Sequence, residues 1–526
     1  MGNIDTVALK PWRGEAYWLP VVVVVPLCLL YALGLGYPPV FDDLSAAQFS
    51  PRWLRPAIED GVQDVVRWFS NLSFVWTIRL FGFFLPLMRL QNLLVHCVNV
   101  VLLYLLLKSL FDVVSEKTDA TRSPHRWWSA LGAVWFGFNP AAVYAVAYLI
   151  QRSILMATGF SLLAMYCWVK ALCGERKSRR AWGLLALVSY MLAVLSKEHA
   201  ILLPALMAVA AVVLLPGRPA WQRWGSGIVI AGACAIVLVA LRWELIAHPY
   251  EGHALAMLSM EEVILGRHLI DIAYPLSALT QCGLFFKYLG LWLLPLPQWM
   301  SVDMHPPLFV QVIGWKQALF LCGFLLWGGV GLQMVRRGGV AGLAGLGMLW
   351  PWLLFATELA TVRVQEPFVL YRSYLWMAGV PAALPLLLGS VPLGFIRLLL
   401  PALMLGLLPL ARDRHATFSS NFSLWSDAVE KSDSRQNALN GRAWMYRGIA
   451  KINSGDLDGA TRDMEEAIRL DPWFAEPYAN LSVILLRQGR FEEALRYSDM
   501  ALKISPKLEN AQLNRRLIVR LMKRKK

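Results

Sequence analysis

Hydrophobic positions follow two regimes along the chain. Up to about residue 411 they come in long runs, near 17–36, 87–107, 128–147, 150–172, 182–196, 199–215, 226–246, 316–335, 338–357, 373–390 and 395–411. Each run is close to the length a helix needs to cross about 30 Å of hydrocarbon, a few being short. Beyond residue 411 the apolar positions become periodic: Leu457, Ala460, Met464, Ala467 and Ile468 share one helical face, and Phe491, Ala494, Ser498, Ala501 and Leu502 repeat it. The pattern predicts an all-α chain, a polytopic membrane bundle of about 11 spans followed by a water-soluble helical domain.

The periodic part also repeats at a longer interval. Gly455 and Gly489, Ala460 and Ala494, Ala467 and Ala501, and Pro472 and Pro506 are each 34 residues apart. Small residues where two helices touch, with proline closing the unit at that period, predict tetratricopeptide repeats. Residues 1–411 are then the membrane domain, 412–436 a linker with a capping helix from Trp425 to Glu430, and 437–526 the repeat domain. Two helix pairs and a solvating helix over Leu508 to Lys523 make a small concave surface suited to a peptide segment or a partner helix. The closing run Lys523-Arg524-Lys525-Lys526 could lie against anionic headgroups or an acidic partner, or simply be solvated.

Composition supports the division. The chain is 57% hydrophobic and only 16% charged, unlike an average soluble protein. Its net charge of +15 is what basic cytoplasmic loops produce, and no stripe of basic and aromatic residues argues for nucleic acid. Lys10 and Arg13, then Lys117, Arg122 and Arg126, then Arg176 to Arg180, then Arg218 and Arg223, then Arg336 and Arg337 alternate between loops as a cytoplasmic N-terminus requires. The repeat domain is then external. Residues 261–295 break the parity and are expected as an amphipathic helix plus a re-entrant or interfacial helix. The first run reads as a signal anchor, and residues 51–70 as a helix lying along the headgroups. The seven cysteines lie in or beside apolar segments, with neither zinc nor disulfide spacing. Short loops fit a bacterial inner membrane with periplasmic repeats, the alternative being an endoplasmic reticulum membrane with lumenal repeats.

Candidate chemistry gathers at the external ends of the spans. Asp42 and Asp43 follow the first span, where partial desolvation and a like-charged neighbour would make one a general base, unless they are a solvated loop cap. Asn92 and His96 share a face of the second span, with Arg89 a turn earlier; a helix-locking hydrogen bond is the alternative for Asn92. Gln151-Arg152, Lys197-Glu198-His199, and Arg363, Glu366, Tyr371 and Arg372 fall at later external ends. Their cations could hold a lipid phosphate or pyrophosphate, or singly reach for headgroups. No cofactor is specified: the two aspartates could take a divalent metal, but further oxygen ligands cannot be placed with them.

In order along the chain, Phe41-Asp42-Asp43, Asn92 to His96, Asn139-Pro140 with Gln151-Arg152, Ser196-Lys197-Glu198, Lys287 to Pro295 with Asp303 beyond, and Glu366 to Tyr371 resemble the transmembrane and tetratricopeptide-repeat-containing O-mannosyltransferases and their bacterial relatives, of the GT-C superfamily. The resemblance implies transfer of a sugar from a polyprenyl-phosphate or polyprenyl-diphosphate carrier to a hydroxyl of a protein or other exported acceptor outside the membrane. It implies Asp42 or Asp43 as catalytic base, Arg152, Lys197 and Arg372 around the donor phosphate, and His96, Asn92, Glu198, Glu366 and Tyr371 orienting acceptor or base. Asn139 stands where the family has histidine, Gln151 where it has glycine, Val75-Trp76 where Arg-Pro is often found, and Pro367 where arginine is frequent. The reaction type and the side of the membrane therefore carry over, and the sugar does not. Two other classes are a non-enzymatic scaffold recruiting partners through the repeats, and a transporter; paired Gly/Pro-broken spans that would mark the latter are not evident.

Overall fold

In hydrocarbon each backbone N–H and C=O must be satisfied within its own segment, and helices do this. The structure, a computed structural model, is all-helical among the described residues: 18–41, 43, 67–116, 125–175, 177–215, isolated positions between 225 and 240, 271–305, 314–363, 366–432 and 441–525. The chain divides into two units, Met1–Tyr37, Asp42–Pro297 and Leu308–His415, and then Pro38–Phe41, Gln298–Pro307 and Ala416–Lys526.

The first unit contains α1 (Trp18–Ala32), α2 (Trp68–Phe81), α3 (Leu85–Glu116), α4 (His125–Gly137), α5 (Pro140–Val146), α6 (Arg152–Cys173), α7 (Arg179–Ser196), α8 (Leu203–Leu214), α9 (Ala273–Leu293), α10 (Trp315–Arg337), α11 (Gly339–Leu359), α12 (Ser373–Met377), α13 (Leu384–Leu388) and α14 (Leu393–Thr417). Among the described residues, five helices are long and apolar enough to cross a membrane: Leu85–Ser115, Leu149–Cys173, Trp315–Arg337, Gly339–Leu359 and Leu393–Thr417. The bent pair α4 and α5 would make a sixth. The expected eleven is not reached there, for local reasons. The 373–390 run is cut into α12, the 3-10 turn Val380–Ala383 and α13, with Pro381 and Pro385 at the starts of the last two. The 199–215 run keeps only 12 residues as α8. Most of the 226–246 run, residues 51–66 and the start of the 261–295 segment lie outside the described residues; the rest of that last segment contains a single 21-residue helix, α9.

The bend between α4 and α5 is 61°. Asn139, preceding a proline, is extended, and its side chain accepts from Ala141 N (3.0 Å) to start the new helix. Its amide donates to Trp292 O (3.0 Å), fastening the bend to α9. Helices α10 and α11 meet through glycines: a Cβ on Gly345 would lie 2.6 Å from the Gly331 carbonyl oxygen, so only small residues permit this approach. Phe355 of α11 and Tyr288 of α9 both pack edge-on against Trp376 of α12, with centroids 5.0 and 5.1 Å apart.

The second unit contains α15 (Asn421–Lys431), α16 (Gly441–Ser454), α17 (Leu457–Leu470), α18 (Ala475–Arg487), α19 (Phe491–Ile504) and α20 (Glu509–Lys525). Equivalent residues of the 34-residue period do equivalent jobs. Gly455 and Gly489 end α16 and α18 with φ of 88° and 77°, where the following N–H groups return to Lys451 O and Leu485 O, a helix-ending geometry that glycine adopts without strain. Ala460, Ala467, Ala494 and Ala501 are fully buried, which lets the paired helices approach. Asp463 is a buried charge with its partners supplied: it bridges Arg447 and Lys451 at 2.7 and 2.8 Å.

Candidate functional site

The turn Leu149–Gln151, just before α6, organises the first group of candidate residues. Asp43 is fully buried and accepts from Leu149 N (3.2 Å) and Ile150 N (2.9 Å), capping from afar the N–H groups that a helix start leaves free. Arg89 of α3, which interacts electrostatically with Asp43, donates to Ala147 O (2.7 Å) and Tyr37 O (3.2 Å). Asn92, one turn on, donates to Leu149 O (3.1 Å) and accepts from Arg152 Nε (2.9 Å). Arg152 also reaches Met88 O (2.9 Å) and Ser73 Oγ (3.3 Å), and its guanidinium lies 3.8 Å from the centre of the Phe74 ring. Asp43, Asn92 and Arg152 are thus brought to one turn. Asp42 lies outside the described residues.

A second group adjoins it through Gln151, whose side chain accepts from Lys197 Nζ (3.2 Å). Lys197 is buried, with its ammonium 5.0 Å from the Tyr371 ring. Burial, then Arg67, pushes it down to about 7, Arg372 adding to this and Glu198 and Glu358 opposing it. Glu198 pairs with Arg67 at 2.8 Å. Arg372 donates to Glu366 O (3.1 Å) and lies 3.5 Å from Glu366 Oε2. Lys197, Glu198, Glu366, Tyr371 and Arg372 therefore form one charged group where α7 and α11 end and α8 and α12 begin.

Its centre is Glu358, which sequence reading passed over. This side chain, in the last turn of α11, is fully buried. It accepts from His199 Nε2 (2.8 Å) and Arg372 Nη1 (3.1 Å), and Arg363 Nε lies 3.2 Å away. The available signal was its place as a lone carboxylate in an otherwise apolar span, since ionisable residues inside membranes are expensive and rarely idle.

His96 is not brought to either group. It is fully buried; its Nε2 donates to Gly137 O (3.1 Å) and its Nδ1 faces Tyr374 Oη at 2.6 Å. A carbonyl only accepts, so Nε2 carries the proton and the ring joins α3, α4 and α12. At the far end of α3, about 30 Å from Asn92 by helical rise, His125 Nδ1 pairs with Asp112 (3.0 Å) and Nε2 with Ser115 Oγ (2.6 Å). The atoms run in the order of a hydrolytic triad. Ser115 is in the last turn of α3, however, where the free backbone groups are carbonyl oxygens that repel an oxyanion; the cluster ties α3 to α4. Among the described residues no three His, Cys, Asp or Glu side chains are grouped to hold a metal ion.

In the second unit Phe41, which directly precedes the acidic pair in sequence, packs edge-on against Trp425 (5.0 Å) and Tyr446 (5.5 Å). Its N–H donates to Asn421 Oδ1 (3.0 Å). Asp303 is buried between Arg442 and His305; burial alone would raise its carboxyl, but the Arg442 charge outweighs this and holds it well below the usual range.

Residues 452–514 match the family described as Tetratricopeptide repeat. The C-terminal part is accordingly a repeat domain of a kind that generally engages other proteins. No curated protein matched the chain.

Proposed function

We propose that this protein is an integral membrane glycosyltransferase of GT-C type, transferring a sugar from a polyprenyl-phosphate-linked donor to a hydroxyl of a protein or other exported acceptor on the outer side of the membrane. In this reading residues 1–411 carry the transfer, 412–436 form a linker and capping helix, and the repeats of 437–526 hold the acceptor or a partner protein in the periplasm. The observation that carries it is the meeting of Lys197, Arg363 and Arg372 in a largely buried group, linked through Gln151 to the turn that Arg152 supports and Asp43 caps. Cations gathered in a medium of low dielectric are matched to a phosphate whose charge grows as it departs.

The roles divide by geometry. Asp43, with backbone donors on both carboxylate oxygens, holds the Leu149–Ile150 turn, which leaves Asp42 to take the proton from the acceptor hydroxyl. That oxygen attacks the anomeric carbon with inversion; the bond from the anomeric carbon to the carrier phosphate oxygen breaks, and its electron pair leaves on the phosphate. Lys197 and Arg372 face the phosphate, Arg152 positions Asn92 and the turn, and Glu198, Glu366 and Tyr371 orient the cations.

The test is intact-mass analysis of exported proteins from cells with and without the gene product, and with Asp42→Asn plus Asp43→Asn. Transfer predicts a mass increment that names the glycan and vanishes in the double variant. A wild type that adds no mass, and whose double variant keeps its partners and phenotype, is a scaffold and overturns the reading.

A further inference from the structure

We infer that Glu358 is a positioning residue for the donor phosphate, the internal counter-charge that holds Arg372, Arg363 and His199 together and keeps Lys197 cationic before the phosphate arrives. The inference rests on the reading above and adds to it the residue on which the cationic group depends. Glu358 is fully buried, and one carboxylate oxygen takes His199 while the other takes Arg372 and Arg363. The His199 ring lies stacked with Trp376 (6.2 Å, 22°). Its ring also lies 3.6 Å from Glu198, which holds Arg67. The chain of contacts therefore runs from Arg67 through Glu198, His199 and Glu358 to Arg372 and Glu366, with Arg363 as a branch.

Two arginines in a buried site would repel each other and any lysine nearby without such an anion. Lys197 feels this directly: Arg67 and Arg372 act against its proton, Glu198 and Glu358 favour it, and Gln151 and Tyr371 are its neutral contacts. Removing the Glu358 charge while keeping its shape leaves three cations facing one another. Lys197 then gives up its proton at lower pH, and the phosphate meets a weaker site.

The experiment measures binding of a polyprenyl monophosphate, and separately of inorganic phosphate, to the full-length protein in nanodiscs across the pH range around neutrality. Wild type should bind the lipid phosphate, weakening as pH rises through about 7. Glu358→Gln should bind roughly tenfold more weakly, a loss of about 1.4 kcal/mol, with the weakening displaced to lower pH. Glu358→Asp, which keeps the charge on a shorter arm, should keep the wild-type pH midpoint and lose affinity alone. It supplies the answer if Glu358→Gln is not recovered folded. A role in packing alone would lower the yield of folded protein and leave the midpoint unmoved. Wild-type affinity and midpoint in Glu358→Gln, or wild-type affinity in Glu358→Asp, would overturn the inference while the transferase reading stood. Wild type that binds neither ligand would sink the transferase reading instead, and binding of inorganic phosphate alone would deny the lipid source.

Discussion

At Lys197, burial and two arginines act against a proton that two glutamates favour, and the balance sets the ammonium at about 7. Below that pH it is charged in the folded and the unfolded chain alike, and its burial costs stability. Between about 7 and the ordinary 10.5 only the unfolded chain keeps the proton, so the cost shrinks as pH rises through that window. Lys197→Met should therefore raise the unfolding temperature at about pH 6 and lose most of that gain by about pH 10; an equal gain at both values would refute the assignment. Arg152 is constrained differently, by geometry. Lysine in its place keeps the charge but cannot serve Asn92, Met88 O and Ser73 together. Arg152→Lys should destabilise by about 1–3 kcal/mol through the acceptors left unmatched, read from thermal unfolding in detergent. The importance of Arg152 was legible as an arginine at the start of an apolar run. Its partners were not, because they come from α2 and α3, some sixty or more positions earlier in the chain.

Helices test the same question one level up. Gly489 ends α18 with φ of 77°, a conformation that costs an L-residue about 1–2 kcal/mol. Gly489→Ala should lower the resistance of the repeat unit to limited proteolysis, whereas Gly36→Ala, at an open position with no such angle, should not. Gly345 is closed by contact instead: leucine there would strike the backbone of α10. About 1–3 kcal/mol of overpacking is expected in Gly345→Leu, with loss of monodisperse protein on gel filtration as the measure. Elements of the repeat were readable because a short period leaves its small residues and turn glycines in fixed register. The 373–390 run was misjudged as one span because hydropathy sums over residues and ignores that a proline has no N–H to give.

The whole molecule carries a prediction of sidedness. With the proposed cytoplasmic N-terminus, an added thiol in the repeat unit, as in Lys507→Cys, should react with an impermeant maleimide in cells whose outer barrier is opened and whose inner membrane is intact. Protection until that membrane is lysed would reverse the topology and move the proposed chemistry to the cytosolic side.

What the amino-acid order determined alone is whatever depends on neighbours close in sequence: apolar stretches of helical length, the 34-residue repeat, and the ends at which charged residues emerge. Only tertiary structure decided which of those charges meet. Asp43 finding the Leu149–Ile150 amides, Lys197 finding Gln151, and Glu358 gathering His199, Arg363 and Arg372 all follow from how helices pack. A buried ion must be neutralised by whatever the fold delivers to it, and hydrophobic periodicity specifies that a face is buried without specifying what lies across from it.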